Sequence, residues 1–229
     1  MLNDNWLIKT LDTVESTQDY AKDFKTYGQQ IVITAQHQTK GYGQYGREWL
    51  DMPGNLSVSL IIPAEHMMND VTLMSSIAIG NIIINHGLNI QYKWVNDILI
   101  DGQKVAGILT EYCRGNLIIG IGLNIKHSPK NIMNCKTTSL LENGMNISSE
   151  KFLELMLKSF TLHYNQWLQY GFKSFKSIWK SRAYKLNDNV IITNGDSVVG
   201  GIFLDIDDNG GIIVENENGL HRLQQGSLR

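Results

Sequence analysis

Several things are scarce in this chain, and each scarcity removes a class of protein. Two cysteines, Cys113 and Cys135, occur in 229 residues. They sit in unrelated contexts, too few for a disulfide-stapled scaffold, and read as the reduced thiols of a cytoplasmic protein. Six histidines show no metal-ligand spacing. Basic residues give no surplus: 20 Lys and Arg against 22 Asp and Glu leave a formal net charge of −2. A protein whose main business is nucleic acid normally carries a basic footprint, so no DNA partner is expected. The longest apolar stretch, residues 77–84, is broken by Gly80 and Asn81 and falls well short of the ~20 residues a membrane helix needs. Met1-Leu2-Asn3-Asp4-Asn5 lacks the basic start and apolar core of a signal peptide. No internal repeat and no low-complexity segment occurs.

What is present is an alternation of α and β signals followed by a change of texture. A strand is expected over 6–11, then a helix capped by Ser16 or Thr17 with Tyr20, Ala21, Phe24 and Tyr27 at helical spacing. Strands follow at 31–35 and 55–62, the latter stopped by Pro63. Asp70 caps a long helix to about 86, ended by Gly87. A strand reaching Trp94 leads into a hairpin turning at Asp101-Gly102, and a buried strand covers 117–125. Residues 126–146 read as a connecting loop with one helical turn. Ser148 or Ser149 opens the longest helix, lined by Phe152, Leu153, Met156, Leu157, Phe160, Tyr164 and Trp167 and closed by Gly171. A shorter helix, 172–180, follows. After Tyr184, short β runs at 190–193, 198–206, 211–215 and 220–223 alternate with Gly-containing turns, the pattern of a small antiparallel barrel. The fold class is therefore α+β, a mixed sheet flanked by helices, with domains at 1–183 and 184–229.

The chemistry-bearing segments are local and dense. Residues 36–49 read Gln-His-Gln-Thr-Lys-Gly-Tyr-Gly-Gln-Tyr-Gly-Arg-Glu-Trp. Glycines let backbone N–H groups approach an anion, Arg47 offers a planar fork to a phosphate, and Trp49 offers a face for stacking. Gly41, Gly43 and Gly46 also match a dinucleotide fingerprint, but Pro53-Gly54-Asn55 forbids the helix that fingerprint requires. Lys93-Trp94-Val95-Asn96-Asp97 precedes the hairpin, and Lys104 lies just past its turn. Gly120-Ile121-Gly122-Leu123-Asn124 closes the next strand, with glycines that leave room for a ligand or another backbone.

In this order, Ser16-Thr17-Gln18, Gly41 to Trp49, Lys93 to Asp97, Lys104 to Glu111 and Gly120 to Asn124 resemble the catalytic domain of the biotin–protein ligases. The resemblance runs from about residue 8 to the end. It implies a class II synthetase-like sheet, an SH3-like C-terminal domain, and a ligase without a repressor module. It also implies two-step chemistry with ATP, biotin and Mg²⁺, the acceptor being the biotin carboxyl carrier domain of acetyl-CoA carboxylase. Lys104 would bridge the biotin carboxylate and the reacting phosphate, and Arg47 would clamp phosphate oxygens. Ser16, Thr17, Gln18, Gln38, Gly41, Tyr42, Gly43, Gln44 and Gly107 would meet biotin. Trp49, Lys93, Asn96, Asp97, Asn124 and the terminal Arg229 would meet ATP or the adenylate. Asp97 would carry Mg²⁺ or fix Lys93, while Trp94 would pack.

Three departures stand out. Tyr42 and Gln44 replace the family's loop arginines, Val95 replaces a proline, and Gln18 replaces a shorter asparagine. With no charge on Tyr42 or Gln44, closure of a mobile loop over the ligand would rest on backbone N–H groups, Arg47 and aromatic cover. A lipoate–protein ligase and a non-catalytic biotin-binding regulator are the competing readings, and a homodimer is left open.

Overall fold

Strand β3 (Leu56–Pro63) reads Leu-Ser-Val-Ser-Leu-Ile-Ile-Pro, and its first seven residues are buried. A strand covered on both faces belongs in the middle of a sheet. In the computed structural model, which describes residues 1–3, 5–65, 70–130 and 135–229, it does sit there. The sheet also holds β1 (Leu7–Val14), β2 (Ile31–Gln38), β4 (Gln91–Lys93), β5 (Asp97–Ile100), β6 (Gln103–Cys113) and β7 (Asn116–Leu123), in the order β1-β2-β3-β7-β6-β5-β4. β1 pairs parallel to β2, with helix α1 (Thr17–Asp23) as the crossover, and every other neighbour is antiparallel. Asp4 of the opening segment and residues 131–134 of the expected connecting loop lie outside the described residues.

The pleat divides the apolar residues between two cores. Ile31, Ile33, Ile61 and Ile118 meet Ala21 of α1 on one face. On the other, Val32, Leu60, Ile119 and Ile121 pack with α2 (Val71–Asn85) and α3 (Ser149–Tyr170). α3 buries the expected face, its N-cap Ser148 accepts from Lys151 N, and it ends at Gly171 with φ 67°. α1 is shorter than its aromatic spacing implied. Tyr27 and Gly28 both take positive φ, 49° and 79°, in a turn beyond the helix, and Tyr27 is 87% exposed. Asp70 does hold the N-cap position of α2, but its side chain makes no capping bond. Its carboxylate accepts instead from Trp167 Nε1 at 2.9 Å, tying α2 to α3. Burial pushes this carboxyl above its ordinary range, against the Trp167 bond, which favours the charged form. The expected helix at 172–180 is split into a 3₁₀ turn, Phe172–Ser174, and α4 (Lys176–Lys180). A 3₁₀ turn eclipses i and i+3, so Phe172 and Phe175 both face inward, each 1% exposed.

Residues 182–184 run along the sheet edge, with Tyr92 N donating to Arg182 O and Tyr184 N to Tyr92 O, both at 2.8 Å. A second, five-stranded antiparallel sheet follows: β8 (Asn189–Asn194), β9 (Ser197–Ile206), β10 (Ile212–Asn216), β11 (Gly219–Leu223) and β12 (Ser227–Leu228), ordered β11-β10-β9-β8-β12. Its three turn glycines, 195, 210 and 219, all have positive φ, of 58°, 79° and 106°, a region closed to most side chains. Trp94, 1% exposed, donates from Nε1 to Gly210 O at 3.0 Å and so locks this sheet to the first.

One side chain organises the exit from β7. Asn55 Oδ1 accepts from Ile125 N at 3.0 Å, Lys126 N at 3.0 Å and His127 N at 3.1 Å, and its Nδ2 donates to His127 O at 2.8 Å. Asn55→Ala strands these backbone groups and is expected to lower unfolding free energy by ~2–4 kcal/mol, measured by urea denaturation.

Candidate active site

The site is built on the register of four strands. Ser57 of β3 faces Gly122 of β7, which faces Gly107 of β6, which faces Asp97 of β5. One step along, Ser59 faces Gly120, which faces Leu109. Since side chains alternate, these rows lie on the α1 side, and their glycines leave a bare floor. The space over the floor is filled by side chains, where a ligand or another backbone was expected. A Cβ on Gly122 would lie 2.3 Å from the Trp49 indole, one on Gly120 would lie 2.5 Å from Gln18 Oε1, and one on Gly107 would lie 2.9 Å from Lys104 Nζ.

At one end of the floor stands a buried polar cluster. Gln38 Oε1 accepts from Thr17 N at 2.7 Å and Thr17 Oγ1 at 3.0 Å. A backbone N–H can only donate, so this fixes the amide orientation and leaves Gln38 Nε2 without a protein partner among the described residues. Ser59 Oγ lies 3.0 Å from Thr17 Oγ1 and 2.9 Å from Gln18 Oε1. Gln18 spends both amide hydrogens on the protein, on Glu111 Oε2 at 2.9 Å and Ile118 O at 3.2 Å. Its longer arm therefore holds Ser59 and Glu111 in place. Ser16 caps α1, accepting from Asp19 N at 3.4 Å.

The glycine-rich segment forms a small hairpin across the mouth. Trp49 N donates to Gly41 O at 2.9 Å and Gly43 N to Arg47 O at 2.7 Å, around a 3₁₀ turn at Gln44–Gly46. No α-helix starts there, which excludes the dinucleotide reading. Asp51 anchors the base, accepting from Gln38 N at 2.9 Å and Ser57 Oγ at 2.7 Å. Arg47 stands exposed on the rim, its guanidinium 5.4 Å from the Tyr45 ring centroid.

Opposite the polar cluster is the charged end. Lys104 Nζ meets Asp97 Oδ1 at 2.6 Å, their side chains 21% and 15% exposed. Of the alternatives for Asp97, metal ligand or partner of Lys93, the structure shows a third, the partner of Lys104. A bulge between Ile98 and Leu99 shifts the β5–β6 register, and so carries Lys104 back toward Asp97. Asn96 lines the cavity and is pinned by Nδ2 donating to Ile108 O at 3.0 Å.

The cavity brings together Ser16, Thr17, Gln18, Gln38, Tyr42, Gly43, Gln44, Arg47, Trp49, Asn96, Asp97, Lys104 and Gly107. Gly41 packs behind it, under Gln38 and Trp49. Three expected residues stand apart. Lys93 does not line the cavity. Asn124 is 1% exposed and its amide is used structurally, donating to Thr138 O at 3.1 Å. Arg229 lies in the second sheet, its backbone paired with Ile191 at 2.9 and 3.2 Å. Ser57, Ser59, Asp51 and Glu111 were missed as site residues. The alternation Leu56-Ser57-Val58-Ser59-Leu60, which places two serines on one buried face, was the available signal for the first two.

The cavity measures about 90 Å³, below the ~300 Å³ at which ligand sites begin. Trp49 occupies the missing space, so a bicyclic ligand or a nucleotide requires the indole to move. A larger hollow of about 720 Å³ lies between β1–β3 and α3 on the opposite face, away from the Lys104–Asp97 pair. Among the described residues no three His, Cys, Asp or Glu side chains converge as a metal site, and no helix is long and apolar enough to cross a membrane.

Residues 10–127 match the profile of the Biotin/lipoate A/B protein ligase family. The chain belongs to that family. Residues 185–226 match the Biotin protein ligase C terminal domain, which the second sheet forms. The chain is 30% identical over 205 residues to the Biotin–[acetyl-CoA-carboxylase] ligase of Paracoccus denitrificans, covering 82% of this chain and 85% of that one. It is 28% identical over 233 residues to the Bifunctional ligase/repressor BirA of Bacillus spizizenii, covering 95% of this chain and 72% of the relative. Its fold superposes with a TM-score of 0.84 on the biotin protein ligase of Aquifex aeolicus in complex with biotin and ATP, at 27% identity and 97% coverage of both chains. The mixed sheet with its SH3-like companion is thus the fold of this ligase family, and the chain is a ligase.

The seat of Trp49 in this ligase can be tested on its own. Gly122→Ala is expected to cost ~1–3 kcal/mol of stability by overpacking. In a Trp49→Ala background the cost should fall by more than half, because the clash is then gone. Equal costs by urea denaturation would place the indole elsewhere.

Proposed function

We propose that this ligase joins biotin to a carrier protein through an adenylate, and the observation that carries the reading is the Lys104–Asp97 pair, 2.6 Å apart, at the opposite end of one floor from a buried polar cluster. Such a site handles a neutral polar ring at one end and reacting anions at the other. Biotin's ureido group would meet Gln38 Nε2, whose hydrogens are unspent, together with Ser16 and Thr17. Its carboxylate would then lie toward Lys104.

In the first step the biotin carboxylate oxygen attacks the α-phosphorus of ATP, the bond to the β-phosphate bridging oxygen breaks, and pyrophosphate leaves. Lys104 offsets the repulsion between the two anions from a rigid hairpin, and Asp97 holds its ammonium in place. Arg47 on the rim clamps phosphate oxygens, and Trp49, once displaced from the floor, covers the adenylate. In the second step a lysine amine of the biotin carboxyl carrier domain of acetyl-CoA carboxylase attacks the acyl carbon. An amide forms, AMP departs and a proton is released. Asp97 is the residue that would hold a Mg²⁺ ion beside the nucleotide phosphates, in line with the one or two carboxylates this ion usually takes from a protein. When bound it neutralises phosphate charge.

Pyrophosphate release from ATP that requires biotin and not lipoate separates this reading from a lipoate ligase, and release with lipoate alone would overturn it. Lys104→Ala should fold normally by circular dichroism yet lose ~10²–10³-fold in single-turnover adenylate formation, the usual effect of deleting one preorganised charge. A near wild-type rate would remove Lys104 from the chemistry.

A further inference from the structure

The loop that crosses the site carries Tyr42 where the family resemblance expects an arginine. Its phenol is not idle. Tyr42 Oη donates to Asp19 Oδ1 at 2.7 Å and accepts from Lys22 Nζ at 2.7 Å. Lys22 Nζ also lies 3.2 Å from Asp19 Oδ1 and 3.0 Å from Glu111 Oε1. The other oxygen of Glu111 takes the Gln18 amide, and Gln18 holds Ser59. One continuous chain of hydrogen bonds therefore runs from the loop, through α1 and β6, to the polar floor of the cavity. Asp19 and Lys22 lie one helical turn apart on α1, which places both heads on the side facing the loop.

We propose that Tyr42, Asp19 and Lys22 form a clasp that holds the glycine-rich loop over the cavity, supplying by hydrogen bonds to α1 the closure that loop arginines would otherwise provide. These three are positioning residues, and the proposal rests on the adenylate-forming reading for its consequence though not for its geometry. Both bonds of the Tyr42 hydroxyl join a neutral phenol to an ion, and such bonds are stronger than neutral ones. Burial pushes the Tyr42 hydroxyl up to about 12, with the Lys22 bond opposing the rise, so the phenol keeps its proton at neutral pH. The link to Glu111 and Gln18 means that a ligand seated on Ser59 and Thr17 stiffens the groups to which the loop is fastened. A clasped loop then retains a reactive anhydride until the acceptor amine arrives.

The test begins with amide exchange of Gly43, Arg47 and Trp49 in the full chain without ligand, where ligase chemistry plays no part. Tyr42→Phe and Asp19→Ala should each speed exchange at these positions about tenfold, and the double variant should be no faster than the singles, while α3 is unchanged. Escape of biotinyl-adenylate, trapped with added primary amine, should rise about tenfold in Asp19→Ala and in Lys22→Met, as expected for losing one charge-assisted bond. Exchange at wild-type rates in both single variants, or effects that simply add in the double, overturns the clasp. If exchange rises but the wild-type chain forms no adenylate, the clasp stands and the adenylate-forming reading fails. If adenylate forms and the exchange is unaltered, the reverse holds.

Discussion

Strand register is the constraint on which the rest of this molecule depends. Ser57, Gly122, Gly107 and Asp97 meet across four strands because β3, β7, β6 and β5 pair in one alignment. A slip of one residue would send every side chain to the opposite face and bury Val58 and Ile121 against α1. The two apolar cores prevent that slip, since each face of β3 and β7 already has its partners. The candidate site is therefore specified by the packing of the two cores beneath it.

Within that frame, the buried polar groups of the floor are tied to one another. Ser59 is 0% exposed and Gln18 4% exposed, and both are bonded to neighbours. A buried amide with both hydrogens committed is a fixed strut, because breaking either bond leaves a desolvated donor. Gln38 differs in having only its acceptor spent, and that difference marks it as the residue with something left to offer a ligand. By the same accounting, Asn124 spends its amide on Thr138 O.

Trp49 shows how one side chain can close a floor of glycines. Over Gly107 and Gly122 it fills the floor with apolar surface, with Lys104 Nζ 5.6 Å from its ring centroid. To admit a ligand it must leave, and the hairpin that carries it is held by few backbone bonds of its own.

How much of this was legible beforehand depended on the range of the interaction concerned. Helix caps at Ser16 and Ser148, the Asp101-Gly102 turn, the apolar face of α3 and the Gly-marked turns of the second sheet are local, governed by residues a few positions apart, and the linear sequence determined them. The ordered motifs likewise named Lys104, Asp97, Arg47, Trp49 and Gln38, which line one cavity of the structure. Tertiary structure alone decided who meets whom. Asp97 took Lys104 because a bulge shifted the register, Gln18 took Glu111 across 93 positions of chain, and Trp49, with no pattern to announce it, settled on glycines of two other strands. Tyr42, which by composition had lost a charge, regained a charged environment from α1. Such contacts join residues far apart in the chain, and their geometry exists once strand pairing and helix packing have set the distances.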